Sequence, residues 1–266
     1  MKDVPPILRR KSVQSPSVFA PEALLREARR QKGIRAEAVP EICILDPDGD
    51  VARHLKATNC ASRLPSWPCY HTELHVFELD GLKCGIVDRA VGAPFAVLVA
   101  EELFACGCKL LISMTSAGQI LGLREPPYFV VIDRALRDEG TSYHYRAPSE
   151  YSAADRGLIK LAAQSLLEGG MSVEVGSSWT TDAPFRETDE AIAAARKAGI
   201  LAVEMEAAAL YAFAEARCCP VLCVAHVTNQ MGQVEGDFEK GSADGAEDAI
   251  RVVSLIAHRW REDRGV

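Results

Sequence analysis

Short apolar runs rich in valine, isoleucine and leucine recur along this chain, separated by longer segments in which apolar residues return every three or four positions. The runs at 42–45, 74–79, 84–87, 110–114, 129–132, 172–175 and 221–227 predict strands, and residues 94–105, 153–167, 188–197, 206–217 and 246–259 predict helices. In the last of these, Ala246, Ile250, Val253 and Ala257 fall on one helical stripe. Such alternation constrains the chain to a layered α/β domain, because each sheet face and each helix stripe sheds water only against the other.

With 266 residues the chain can bury a sizeable core within one domain. Residues 1–40, with Pro5-Pro6, Pro16 and Pro21, read as an N-terminal extension wrapping the core or a neighbouring subunit, and 41–266 as the domain proper. Within the extension a short helix starts near Pro21-Glu22. Its Leu24, Leu25 and Ala28 face inward, and Arg26, Arg29, Arg30, Lys32 and Arg35 form a solvated face. No apolar run reaches the roughly 18 residues of a membrane span, and 1–14 lack the apolar core of a signal sequence, so the expected location is the cytoplasm. A net charge of −7 argues against the clustered cations that track nucleic-acid phosphates. The nine cysteines lie mostly in apolar runs without paired spacing and read as small buried hydrophobes in a reducing compartment.

The feature that carries chemistry is Val203-Glu204-Met205-Glu206-Ala207-Ala208-Ala209-Leu210, a strand running into an alanine-rich helix. A glutamate at such a corner can accept hydrogen bonds from two vicinal hydroxyls, while methionine offers a soft apolar face to a sugar ring. Read alone, it is more simply an acid at the positive end of a helix. Further segments join it: Gly92-Ala93-Pro94 running into Glu101-Glu102-Leu103, then Thr115-Ser116-Ala117-Gly118, then Asp138-Glu139-Gly140-Thr141-Ser142-Tyr143-His144-Tyr145. In these segments, and along most of residues 40–260, the chain resembles the nucleoside phosphorylase family, which holds purine nucleoside phosphorylases, uridine phosphorylases and methylthioadenosine nucleosidases. The resemblance implies a single α/β domain of three layers, a central mixed β-sheet flanked by helices. It also implies a small-molecule nucleoside as substrate, inorganic phosphate as co-substrate in place of any cofactor, no metal, and a homo-oligomer, dimer to hexamer, whose subunits lend residues to one another.

Cleaving an N-glycosidic bond develops positive charge on the ribose and negative charge on the departing base. The site must therefore grip sugar hydroxyls, stabilise the base and present a nucleophile to C1′. At matched positions the resemblance gives the ribose to Met205 and Glu206, and the catalytic roles to Glu206 and Asn229. Asn229 stands where purine enzymes of the hexameric type carry a proton-donating aspartate. An amide delivers no proton at neutral pH but hydrogen-bonds along a base edge. Uridine phosphorylases share this asparagine, as do the trimeric purine enzymes, and it disfavours the aspartate-dependent purine mechanism. Within 179–186, Phe185 and Arg186 are placed to cover the base and donate to its carbonyls. No glutamine falls at the pyrimidine-reading position, and the plainer alternative has Asp182 capping the helix near Thr188 with Phe185 in the core.

The phosphate end departs from the family. Leu45-Asp46-Pro47-Asp48-Gly49-Asp50 keeps the Asp-Pro of the family's Gly-Asp-Pro-x-Arg loop and lacks its arginine, and Ser113 stands where a second arginine is usual. Asp48 and Asp50 repel phosphate, which leaves Thr115, Ser116 and Gly118 to cradle it through hydroxyls and loop amides. Arg89, Arg53 or Arg63 could supply the missing cation.

Other constellations carry less. His71 and His75 lack the His-Glu-x-x-His order of zinc hydrolases, Asp46, Asp48 and Asp50 lack the closing glutamate of a calcium loop, and His144 serves equally well as a structural histidine. The resulting expectation is a ribonucleoside phosphorylase nearest the uridine type, yielding free base and ribose 1-phosphate. The alternatives are a nucleosidase using water and a non-catalytic nucleoside-binding protein.

Overall fold

The computed structural model describes residues 5–9, 12–231 and 235–265; positions 1–4, 10 and 11 of the expected extension, and 232–234 and 266 of the expected domain, lie outside the described residues. The elements are α1 (Pro21–Lys32), β1 (Ile42–Asp46), α2 (Asp50–Ala57), β2 (Ala61–Arg63), β3 (Leu74–Leu79), β4 (Leu82–Asp88), α3 (Ala93–Ala105), β5 (Leu110–Gln119) and β6 (Tyr128–Asp138). They continue with α4 (Ser142–Tyr145), β7 (Tyr151–Ala153), α5 (Arg156–Glu168), β8 (Val173–Thr181), α6 (Asp189–Lys197), β9 (Ala202–Glu204), α7 (Ala207–Arg217), β10 (Val221–Asn229) and α8 (Ala246–Glu262).

The sheet is mixed, as the resemblance implies. It runs β2-β3-β4-β1-β5, and from β5 it passes through β10, β6, β8 and β9 back to β5, so that its larger half closes on itself. Pairings β1–β4, β1–β5, β5–β10, β6–β8 and β8–β9 are parallel; β2–β3, β3–β4, β6–β7, β6–β10 and β5–β9 are antiparallel. Closure leaves those five strands without a free edge, which removes a template for misassociation. Every residue of β1 and of β10 is buried, the pattern of strands covered on both faces.

Helices cover both faces. One core joins α1, α3 and α7 through Leu25, Leu103, Ala208, Tyr211 and Phe213; the other joins α2, α5 and α8 through Leu55, Leu166, Val252 and Ile256. Helix α7 is buried from Ala207 to Phe213, so an alanine-rich sequence suits a helix that must lie close to the sheet. The Tyr211 hydroxyl ties it there, donating to the Ile132 carbonyl and accepting from the Cys223 amide at 3.0 Å.

Several sequence expectations shift. Strand β5 continues through Gln119 instead of ending at 114, because β10 pairs with it as far as Gly118 and β9 pairs with Gly118 and Gln119. Thr115–Gly118 is thus strand and not loop. Helix α5 starts at Arg156 and not at 153, since Tyr151–Ala153 pairs with β6 and Asp155 Oδ1 caps the helix by accepting from Leu158 N at 2.9 Å. Strand β8 extends to Thr181, so Trp179 belongs to the sheet, and its indole N–H donates to Asp138 Oδ2. Residues 50–57 form α2. Arg29, half-buried, leaves the expected solvated face of α1 and donates to Cys106 Sγ, while Lys32 stays exposed as its Nζ donates to the Pro68 and Cys69 carbonyls. Six of the cysteines are buried, whereas Cys60 and Cys218 are exposed and Cys219 is half-buried.

Candidate active site at the strand ends

Strands β1, β5 and β10 run in parallel, and their carboxyl ends deliver Asp46, Thr115, Ser116, His226 and Asn229 to one side of the sheet, where open α/β folds place ligands. The corner between β9 and α7 opens onto the same place. Its two glutamates divide the labour. Glu204 is fully enclosed: Oε1 accepts from the Ser178 and Thr180 hydroxyls, and Oε2 accepts from the amides of Glu206 and Ala207 at 2.7 Å each. It occupies the first amides of α7 and fixes the turn.

Glu206 is the group so positioned. It is 1% exposed, its Oε1 accepts from the Gly92 amide at 2.7 Å, and its Oε2 accepts from Thr115 Oγ1 at 2.8 Å. Gly92 precedes α3 with a φ of 87°, a left-handed turn that aims its N–H at the carboxylate. Burial, aided by the neighbouring Glu204 carboxylate, pushes the Glu206 carboxyl up to about 8. Glu206 makes no salt bridge among the described residues. Each oxygen retains a lone pair after these contacts, so the ionised group can still accept from two more donors. Met205 beside it is half-buried.

A second group lies beyond Thr115. The Ser116 amide donates to Asp48 Oδ2 at 2.7 Å, so a carboxylate of the chain sits on the donor expected to hold phosphate. Asp46 accepts from the amides of Gly49 and Ala52 at the start of α2, and burial raises its carboxyl to about 7. His226 is 7% exposed and stacks on Phe129 with ring centroids 4.6 Å apart. Burial, with Lys240 nearby, lowers its imidazole to about 4, so it is neutral near pH 7. These groups line a space of about 10 Å³, room for about one water. Of the expected substitute cations, Arg63 pairs with Glu73, while Arg53 reaches Asp50 and Asp244. Arg89 packs its side chain over Gly49. Ser113 is wholly buried, and its hydroxyl has no hydrogen-bond partner among the described residues.

Asn229, the residue expected at the base, is paired across the ladder with Gly118. Its Oδ1 accepts from the Met231 amide at 2.9 Å and its Nδ2 donates to Thr228 Oγ1 at 3.2 Å. A Cβ on Gly118 would stand 2.6 Å from Met231 Sδ and 3.3 Å from Asn229 Oδ1, which explains a glycine there. Phe185 and Arg186 lie apart from this buried group, in a short turn after β8, with Phe185 98% exposed. Asp182 does not cap α6. It accepts from the Gly140 amide, and Thr188 caps the helix.

Residues 138–145 form the end of β6 and α4, organised by a residue that the sequence reading missed. Arg137, 5% exposed, donates to the Ser142 and Ser149 hydroxyls and to the Ala147 carbonyl. An arginine inside an apolar strand was the available signal, as was a lone histidine, His226, within the apolar run of β10. A larger cavity of about 760 Å³, between the N-terminal segment and α3 and α4, is lined by none of the predicted site residues.

The description "Phosphorylase superfamily" matches residues 41–257. Among characterised proteins, the chain is 27% identical to a guanosine phosphorylase of Halorubrum lacusprofundi, covering 65% of this chain and 75% of that one. It is 24% identical to a uridine phosphorylase of Thermococcus kodakarensis, covering 81% and 86%. A crystal structure of uridine phosphorylase from Vibrio fischeri, complexed with 6-hydroxy-1-naphthoic acid, superposes with a TM-score of 0.68 at 20% identity over 82% of this chain and 90% of that one, a likeness of fold.

Proposed function

This chain belongs to the phosphorylase superfamily and is a pentosyltransferase, and from that premise we propose that it cleaves the N-glycosidic bond of a ribonucleoside with inorganic phosphate, in the manner of a uridine phosphorylase, releasing base and ribose 1-phosphate. The observation that carries the reading is Glu206: a buried carboxyl at a strand-helix corner, held by Gly92 and Thr115 and pressed toward its neutral form by its surroundings. Its ionised form regains hydrogen bonds by gripping the 2′- and 3′-hydroxyls, and its charge favours the cationic ribose that develops as the bond lengthens. In this reading Met205 lies against the sugar and Asn229 turns its amide to the base edge. Phe185 and Arg186 fold in over the base, and Thr115, Ser116 and Gly118 border the phosphate. The enzyme works in the cytoplasm as a homo-oligomer.

A second reading, with water as acceptor, is favoured by one observation: the Ser116 amide is already taken by a carboxylate, that of Asp48. Base release from uridine and from guanosine, followed chromatographically with and without phosphate, tests both. Strict phosphate dependence supports phosphorolysis, and release indifferent to phosphate supports hydrolysis. Binding of ribonucleosides without release would overturn both in favour of a binding protein.

A further inference from the structure

We propose that Asp48 is an internal competitor for phosphate: its carboxylate holds the Ser116 amide in the resting chain, and inorganic phosphate enters by displacing it. This rests on the phosphorolytic reading of the same site. The Ser116 amide belongs to the segment through which phosphate is held, and at 2.7 Å from Asp48 Oδ2 it already serves an anion that the chain supplies.

Asp48 is the exposed residue of the turn between β1 and α2 and makes no other hydrogen bond or ion pair among the described residues, so its side chain swings away without breaking a second such contact. While in place it bounds a space too small for phosphate, walled by Asp46, Asp50, Thr115, Ser116, His226 and Asp244. An independent observation marks that space as a ligand position. His226 lines it, is 93% withdrawn from solvent by its 7% exposure, and its ring nitrogens make no hydrogen bond among the described residues. A neutral imidazole offers one N–H to an oxyanion. Two cations pair with carboxylates of that wall without lining the space themselves: Lys240 Nζ and Arg53 both reach Asp50, and Arg53 also reaches Asp244. Their charge is partly spent on those carboxylates, so an added phosphate meets the Asp48 carboxylate as its direct rival.

The test is calorimetric binding of inorganic phosphate to the wild type, Asp48→Asn and Asp48→Ala, with the steady-state KM for phosphate measured alongside. Asp48→Ala should bind phosphate about 10- to 100-fold tighter, the range of a charge-assisted hydrogen bond, and KM should fall in parallel with kcat little changed. Asp48→Asn, which keeps an acceptor for the Ser116 amide without the charge, should fall between. An unchanged dissociation constant in both variants overturns the proposal, even where base release is phosphate-dependent. Loss of base release in both variants, with a wild type indifferent to phosphate, also overturns it, because Asp48 would then act on water. Tighter phosphate binding by Asp48→Ala in a protein that releases no base sustains the competition and overturns the functional reading instead.

Discussion

Replacing Glu206 by glutamine should make the protein more stable and less active, and the stability gain should depend on pH in a defined way. The side chain keeps its shape: the amide oxygen accepts from Gly92 N, and the amide nitrogen donates to Thr115 Oγ1, where the carboxylate accepted before. What changes is titration. The carboxyl lies at about 8 in the fold against an ordinary 4.5. A group raised in this direction contributes its full stability below pH 4.5 and loses it as pH climbs through 8, because the unfolded chain ionises freely while the native one resists. At pH 7 the cost to the wild type is about 3 kcal/mol, the interval from 4.5 to 7 at about 1.4 kcal/mol per unit, and above pH 8 it approaches about 5 kcal/mol. Glu206→Gln should therefore exceed the wild type in urea denaturation by less than about 1 kcal/mol at pH 4.5, by about 3 at pH 7 and by about 4 to 5 at pH 8.5 to 9. Ribonucleoside turnover should fall roughly 100-fold, the loss of charge on hydrogen bonds to two hydroxyls. In the wild type kcat/KM should rise with pH up to about 8, a limb the variant lacks. A stability difference that is the same at pH 4.5 and pH 9 would refute the reasoning, since it would mean that the carboxyl is not strained by burial and by Glu204.

Gly118→Ala places a methyl 2.6 Å from Met231 Sδ and against Asn229; a loss of about 1 to 3 kcal/mol in chemical denaturation is expected, with a raised KM for nucleoside. Arg137→Met leaves the acceptors of Ser142, Ala147 and Ser149 unpaired and should cost roughly 2 to 4 kcal/mol, read as a fall in Tm of about 5 to 15 °C in calorimetry. Phe185→Ala, at a side chain 98% exposed, should leave stability within about 0.5 kcal/mol while raising the nucleoside KM several-fold; an unchanged KM removes Phe185 from the base.

Much of the layered architecture was written in local pattern. Strand cores at 42–45, 110–114 and 221–227, and helices at 94–105, 206–217 and 246–259, fall where apolar periodicity puts them, because burial on one or both faces is a property of sequence spacing. The Val203–Leu210 corner was equally legible, since a strand ending in acids before an alanine-rich stretch has few alternatives. Chain pairing decided the rest. Thr115–Gly118 reads as loop until β9 and β10 take up its backbone groups, and Ala153 reads as the start of a helix until β6 claims Tyr151–Ala153. Which of two neighbouring glutamates pegs the turn and which faces the candidate site depends on hydroxyls 24 and 26 residues away for Glu204, and on an amide 114 residues away for Glu206. The meeting of Asp48 with the Ser116 amide spans 68 residues. Periodicity reports which face of an element turns inward, but hydrogen bonds and pKa values depend on which distant groups arrive there, and only the folded sheet brings them within reach.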